Sequence, residues 1–213
     1  MGQLVYEATL ETIYMVFFST IFSLLLGFPL GVLLTITERG GIWEKLMLNQ
    51  ILEGIINILR SFPFIILMIL VFPVSRIIVG TTIGTTATIV PLSISAAPFV
   101  ARVIEEALKK VDKGVVEASL AMGATVRQII FKVLIPEAMP SLVSGITLTV
   151  INLIGYSAMA GAIGGGGLGN LAIRYGLYGF QTDIMVVSVI IIIILVQGIQ
   201  LFGNKLAHKL NKK

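Results

Sequence analysis

Long apolar runs constrain this chain more than any other feature of its sequence. Of its 213 residues, 56% are hydrophobic and 12% are charged, against about 45–50% and 25% in soluble domains. A helix needs about 20 apolar residues to cross a bilayer, and five runs meet that length, at about 13–37, 51–72, 81–110, 142–163 and 184–202. The sequence therefore predicts an all-α polytopic membrane protein, with residues 1–213 forming a single transmembrane domain of five spans.

The residues at the ends of two runs predict how those runs begin or end. Glu7 and Glu11 precede the first run, where a cleavable signal would carry basic residues, so this run is interpreted as a retained helix. Pro73 is expected to end the second run. Five spans place the two termini on opposite sides of the membrane.

The distribution of basic residues predicts which side of the membrane each connecting segment faces. With the N-terminus outside, twelve lysines and arginines fall in cytoplasmic segments and two in outer segments, while Arg60 lies within the second run and is not counted. This bias follows the positive-inside rule. The cytoplasmic set is Arg39, Lys45, Arg102, Lys109, Lys110, Lys113, Arg127, Lys132, Lys205, Lys209, Lys212 and Lys213, and the outer set is Arg76 and Arg174.

A segment between the third and fourth runs, at about 111–140, is too polar to lie in a bilayer. A short helix at 115–122 is predicted to meet a second helix at Gly123. The second helix has an apolar stripe, which we expect to pack on the protein's own helix ends and leave 117–125 exposed to a partner. The stripe is Val126, Ile129, Ile130, Val133 and Leu134. The charge count places this segment, called here the docking loop, in the cytoplasm.

No catalytic activity is expected of this chain by itself. There is no cysteine, the single histidine (His208) lies in the basic tail, and no Gly-Lys dipeptide is available for a nucleotide-binding loop. No nucleophile–base set or metal cluster lies in the predicted spans, so we predict no enzyme activity, no metal and no cofactor on this chain, and no nucleic-acid partner. The glycines at 164–169 are expected to form a flexible or closely packed loop.

Polar residues within the runs are candidates for a translocation path. Arg60 has two interpretations that the sequence leaves open: a structural pair with Glu53 near the cytoplasmic end, or a residue of the path. The small face of the fourth run, from Ser141 to Gly155, favours helix packing and includes Asn152. The path candidates are Arg60, Asn152, Tyr156 and Met159. At the end of the third run, we expect i,i+4 ion pairs Arg102–Glu106, Glu105–Lys109 and Glu106–Lys110.

The docking loop resembles a known family. Glu117-Ala118-Ser119, Gly123, Val133 and Ile135-Pro136 keep every spacing of the EAA loop of bacterial ABC-importer permeases, with Ser119, Val133 and Ile135 as conservative departures. RSFPFIILMILVFPVSRIIVGTTIG, AAPFVARVIEEAL and GYSAMAGAIGGGGLGNLAIRYG are similar to the methionine-importer permease, and the resemblance covers about 11–202.

The resemblance implies a type I ABC-importer permease in a bacterial inner membrane. It implies a second copy of this chain, two cytoplasmic ATP-binding subunits that hold ATP and Mg, and an extracytoplasmic substrate-binding protein. The ATPase-coupling residues it assigns are Glu117, Ala118, Ser119, Leu120, Ala121, Met122, Gly123, Ala124, Thr125 and Pro136. Three alternatives stay open: a permease for another amino acid or small polar solute, an ATP-independent channel or secondary transporter, and a membrane scaffold.

Overall fold

The computed structural model of the protein describes residues 2–211. These residues form helices joined by short turns, in the order α1 (Gly2–Thr37), α2 (Leu46–Ser61), α3 (Phe64–Val79), α4 (Thr85–Leu108), α5 (Lys113–Ala121), α6 (Val126–Ile129), α7 (Ile135–Ala162), α8 (Gly167–Leu171) and α9 (Thr182–Leu210). Two π-helical turns, Ile130–Leu134 and Ala172–Leu177, extend α6 into α7 and α8 toward α9. The all-α polytopic fold predicted from the apolar runs is confirmed.

Four of the five expected spans are continuous helices. They are α1, α4, the joined α6–α7 helix and α9, each long and apolar enough to cross a bilayer. The fifth is a bent pair, because α2 and α3 meet at an angle of 106°. A single continuous span at 51–72 was therefore wrong.

The bend lies at Phe62 and Pro63. Phe62 is extended, with φ −73° and ψ 136°, as the residue before a proline tends to be. Pro63 then stands immediately before α3, where its missing N–H breaks no helical hydrogen bond. Pro73, expected to end the span, lies inside α3 instead, since neighbouring groups in membrane helices can replace the lost hydrogen bond.

Other boundaries also differ from the expected ones. α1 begins at Gly2, so Glu7 and Glu11 are helical. The stripe-bearing helix of the docking loop runs directly into the fourth span, because the π-helical turn before Pro136 changes the hydrogen-bonding pattern where that residue lacks an N–H. Residues 167–169, expected to belong to a loop, begin a helical segment that continues to Leu177, and α9 extends into the basic tail to Leu210.

α4 lies at the centre of the molecule, with α1 packed along it. Gly27 and Gly31 make this approach close, because a Cβ at Gly27 would lie 2.6 Å from Val100 Cβ, and one at Gly31 would lie 2.6 Å from the Ala101 carbonyl oxygen. Small residues at such contacts let membrane helices pack at short distance. Around them, a core containing Met15, Met68, Leu92 and Leu153 joins α1, α3, α4 and α7.

We expect Gly27→Leu to destabilise the protein strongly. The added side chain would overlap Val100, and overpacking of this kind costs about 1–3 kcal/mol or more. Gly54→Leu is the matched control, because no atom lies within 4 Å of a Cβ at Gly54. The thermal unfolding midpoint of the purified protein in detergent checks this. An equal midpoint for the two variants would contradict the close α1–α4 contact.

Candidate docking surface and translocation path

The docking loop is built from two capped helices that turn at Gly123. Asp112 precedes α5 and its Oδ1 accepts a 2.7 Å hydrogen bond from the Gly114 amide. Gly123 has φ +80°, a left-handed conformation in which glycine carries no Cβ penalty. Thr125 then begins α6 through a capping box with Gln128, whose Oε1 accepts the Thr125 amide at 2.8 Å. Local sequence thus specifies both helix starts and the corner between them.

Most of the predicted coupling residues lie on the exposed side of this corner. Glu117, Ala118 and 120–123 are exposed, as are Thr125 and Pro136, while Ala124 is half-buried. Met122 is 81% exposed, an unusual position for a large apolar side chain. Ser119 departs from the expectation that 117–125 would be exposed: it is buried, and its hydroxyl donates to the Val115 carbonyl at 2.8 Å.

The opposite side of the docking loop packs on the protein's own helix ends. Ile129 and Leu134 are buried in a cluster with Ile36 of α1 and with Ile104 and Leu108 of α4, and Ile130 and Val133 pack against it partly buried. Displacing the loop without moving α1 and α4 would expose this apolar cluster to water, which is unfavourable. A movement of the docking loop would therefore be transmitted to α1 and α4.

A charge network strengthens the same junction. Glu105 is 4% exposed at its side chain, and its carboxylate accepts from Arg102 Nη1 at 2.7 Å and from Lys109 Nζ at 2.8 Å. Lys109 also pairs with Glu38 of the α1–α2 turn at 2.7 Å. Burial lowers the Lys109 pKa, but the bonds and charges of Glu105 and Glu38 raise it by more, so this pKa lies above its usual value. Because the raised pKa favours the charged amine in the folded protein, the pair is fully formed at neutral pH and its contribution is lost only as strongly alkaline pH passes that pKa.

Arg102 extends the network to α2. Its Nη1 lies 3.3 Å from Glu53 Oε1, and its Nη2 donates to Asn57 Oδ1 at 2.9 Å. Of the three expected i,i+4 pairs, Glu105–Lys109 is confirmed, whereas Arg102–Glu106 and Glu106–Lys110 are absent from the ion pairs of residues 2–211. Glu53 pairs with Arg102 and not with Arg60, so the pair expected between Arg60 and Glu53 was wrong. Sequence spacing missed the Glu38 and Glu53 contacts because both join residues far apart in the chain.

The path candidates lie on α7 and at the end of α2, just before the α2–α3 bend. Asn152, Tyr156 and Met159 are spaced along one side of α7, with Met159 47% exposed. Arg60 is exposed at the last turn of α2. Phe64, the first residue of α3, stacks on Tyr156 with ring centroids 3.6 Å apart and planes 9° apart. The small face of α7 is packed only in part, since Gly145 lies tightly against Val103 whereas a Cβ at Gly155 would meet no atom within 4 Å.

The glycine-rich segment at the other end of the bundle is closely packed. A Cβ at Gly161 or Gly169 would overlap backbone atoms of Asn170 or Ala158. Glu11 Oε2 accepts from the Gly167 amide at 2.6 Å, and Thr12 Oγ1 accepts from the Leu168 amide at 2.9 Å. Of the two expected forms of this loop, the packed one is observed. Its contacts with α1 connect residues 156 positions apart, so no local sequence pattern predicts them.

Comparison with known proteins identifies the family. The model of the binding-protein-dependent transport system inner membrane component matches residues 27–211, and the chain belongs to this family. It is a membrane permease of an ABC importer and not the ATPase.

Its relatives within the family include methionine permeases. The chain is 50% identical over 212 residues to a probable D-methionine transport system permease of Vibrio cholerae, covering 100% of this chain and 94% of the relative. It is 46% identical over 208 residues to the methionine import system permease of Bacillus subtilis, covering 98% and 94%. An inward-facing MetNI methionine ABC transporter matches with a TM-score of 0.98 at 45% identity, over 100% of this chain and 98% of that one.

We expect Arg102→Ala to destabilise the protein more than Glu53→Ala. Removing Arg102 takes a charge partner from the nearly buried Glu105, and a buried charge left without its partner is costly. Removing Glu53 takes away a partner that is itself 41% exposed, and exposed pairs contribute little. Thermal midpoints of both variants in detergent measure the difference. A larger loss in Glu53→Ala would contradict the central position of Glu105.

Proposed function

We propose that this chain is the permease subunit of an ATP-driven methionine importer in a bacterial inner membrane. Its relatives in Vibrio cholerae and Bacillus subtilis are named as methionine permeases, at 50% and 46% identity over nearly their whole length. The observation that carries the coupling role is the docking loop, whose exposed side presents Glu117 and Met122 while its buried side packs on α1 and α4.

Two ATP-binding subunits would bind the docking loop from the cytoplasm. Lysines and arginines are concentrated in the segments at the docking-loop end, which supports a cytoplasmic loop and an N-terminus outside the membrane. The exposure of most EAA residues supports binding of a partner there. Glu117 is exposed and suited to meet a cation on the ATPase, with Met122 and Leu120 as apolar contacts. ATP and Mg would be held on those subunits.

The translocation path would form between two copies of the permease, served by an extracytoplasmic binding protein. Closure of the ATPases on ATP would move the two docking loops together. Because Ile129 and Leu134 pack on Ile104 and Leu108, that movement would be passed to α4 and α1. The spans would then exchange inward- and outward-facing arrangements, with Arg60, Asn152, Tyr156 and Met159 along the path.

We expect Glu117→Lys to abolish most ATP-driven methionine uptake while leaving the permease folded. Glu117 is exposed and makes no ion pair with residues 2–211, so its loss removes nothing from the fold. If it forms a buried charge pair in the complex, breaking that pair costs about 2–5 kcal/mol. Glu106→Lys is the matched control, since Glu106 is also exposed and lies outside the docking loop. Proteoliposomes with the ATPase and binding protein give uptake and ATP hydrolysis together, and full uptake in Glu117→Lys would contradict the coupling role.

The competing class, an ATP-independent channel or secondary transporter, makes a different prediction. We expect liposomes that contain the permease alone to show no methionine flux above protein-free vesicles. Flux should appear only when the ATPase, ATP and a loaded binding protein are present. Rapid flux from the permease alone would favour the channel. Uptake of glutamine as fast as methionine would favour a permease for other amino acids.

A further inference from the structure

The backbone is interrupted within a membrane span at a point that the single chain does not cover. Ser61, Phe62 and Pro63 lie between α2 and α3 and are all exposed. The last carbonyls of a helix have no partner within it. Irregular backbone at membrane depth is tolerated only where protein buries it or where it lines a water-filled cavity. Since this chain does not bury the break, the break belongs beside an aqueous cavity or another subunit.

An aromatic pair marks the same place. Phe64 follows Pro63 directly, and its ring stacks on Tyr156 of α7. Both side chains are half-buried on the core that contains Met15 and Leu153. The Tyr156 hydroxyl makes no hydrogen bond to any residue in the described range 2–211. A tyrosine in a span usually finds a partner for this group, so the hydroxyl requires water or a bound molecule.

The surface of α7 beside this pair is open, and the helix that precedes the break ends with a cation that has no partner among residues 2–211. Gly155 faces open space, and Met159 next to it is exposed. Arg60 stands four residues before Phe64, at the end of α2. No carboxylate among residues 2–211 pairs with it. Ionisable residues in spans usually face the bundle interior or a water-filled cavity and serve function.

We propose that the Phe64–Tyr156 stack and Arg60 form a transit site for a zwitterionic amino acid with an apolar, sulfur-containing side chain. This inference rests on the proposed function. The aromatic pair receives the thioether, since sulfur makes favourable contacts with aromatic rings. Arg60 receives the α-carboxylate through its planar guanidinium. Packing alone accounts for the stack, but not for the free hydroxyl, the uncovered break, or the unpaired guanidinium in the helical turn that precedes that break.

The site predicts graded effects on methionine uptake in proteoliposomes with the ATPase, binding protein and ATP. We expect Tyr156→Leu, Phe64→Leu and Arg60→Gln each to lower the initial rate about tenfold. Tyr156→Phe keeps the stack and Arg60→Lys keeps the charge, so both should stay within about threefold of the unmodified protein. Phe17→Leu is the control, because Phe17 is an exposed aromatic residue of α1. Arg60 is exposed, so its replacement tests the site even if the leucine variants fold poorly.

Photo-methionine, a diazirine analogue of methionine, tests the location directly. Irradiation during turnover should label 60–64 and 152–159, and excess methionine should suppress that labelling. Wild-type uptake in Arg60→Gln and Tyr156→Leu would overturn the transit site whatever the probe labels. Competed labelling elsewhere on the chain, with none in these two segments, would also overturn it. Absence of ATP-driven methionine uptake in the unmodified protein would instead contradict the proposed function.

Discussion

The contact between α1 and α4 is the interaction on which the rest of the structure depends. In a bilayer, lipid is as apolar as a leucine side chain, so helices associate through close packing and not through a hydrophobic driving force. Gly27 and Gly31 provide that packing against residues 97–104 of α4. α4 in turn supports the broken span through Arg102 and the docking loop through Ile104 and Leu108. Because α4 contacts both the docking loop and the broken span, it can transmit a movement of one to the other.

The two arms of the broken span are attached to the bundle by different sets of contacts. α2 is joined to α4 by the guanidinium of Arg102, which contacts Glu53 and Asn57, and by Ile56, which is buried with Ala101. α3 begins on α7 through the stack of Phe64 on Tyr156. The polar contact requires a fixed geometry of hydrogen-bonding atoms, whereas stacked rings can slide with little loss. Movement of α4 would therefore carry α2 with it, while α3 could shift relative to α7.

The sequence predicted the four continuous spans and the position of the docking loop because both are local patterns. Apolar length identifies spans, and the spacing from Glu117 through Gly123 to Pro136 identifies the loop. The bend was missed because proline alone does not mark a break in a membrane helix: Pro29, Pro73, Pro91, Pro98 and Pro140 all lie inside helices, and only Pro63 separates two. The contacts of Lys109 with Glu38 and of Gly167 with Glu11 could not be predicted, because these residues approach each other only after the chain has folded.

The two ends of the bundle are joined to the spans by similar apolar packing and by different polar contacts. At the docking end, an apolar cluster and the buried carboxylate of Glu105 join the loop to the spans. At the opposite end, the glycine segment is held to α1 by hydrogen bonds from two backbone amides, to Glu11 and Thr12, and by an apolar cluster in which Leu168 packs with Ala8. Displacing either segment would expose apolar surface, which is unfavourable in water. Since α1 contributes Ile36 to one junction and Glu11 to the other, a movement of α1 would be felt at both ends of the bundle.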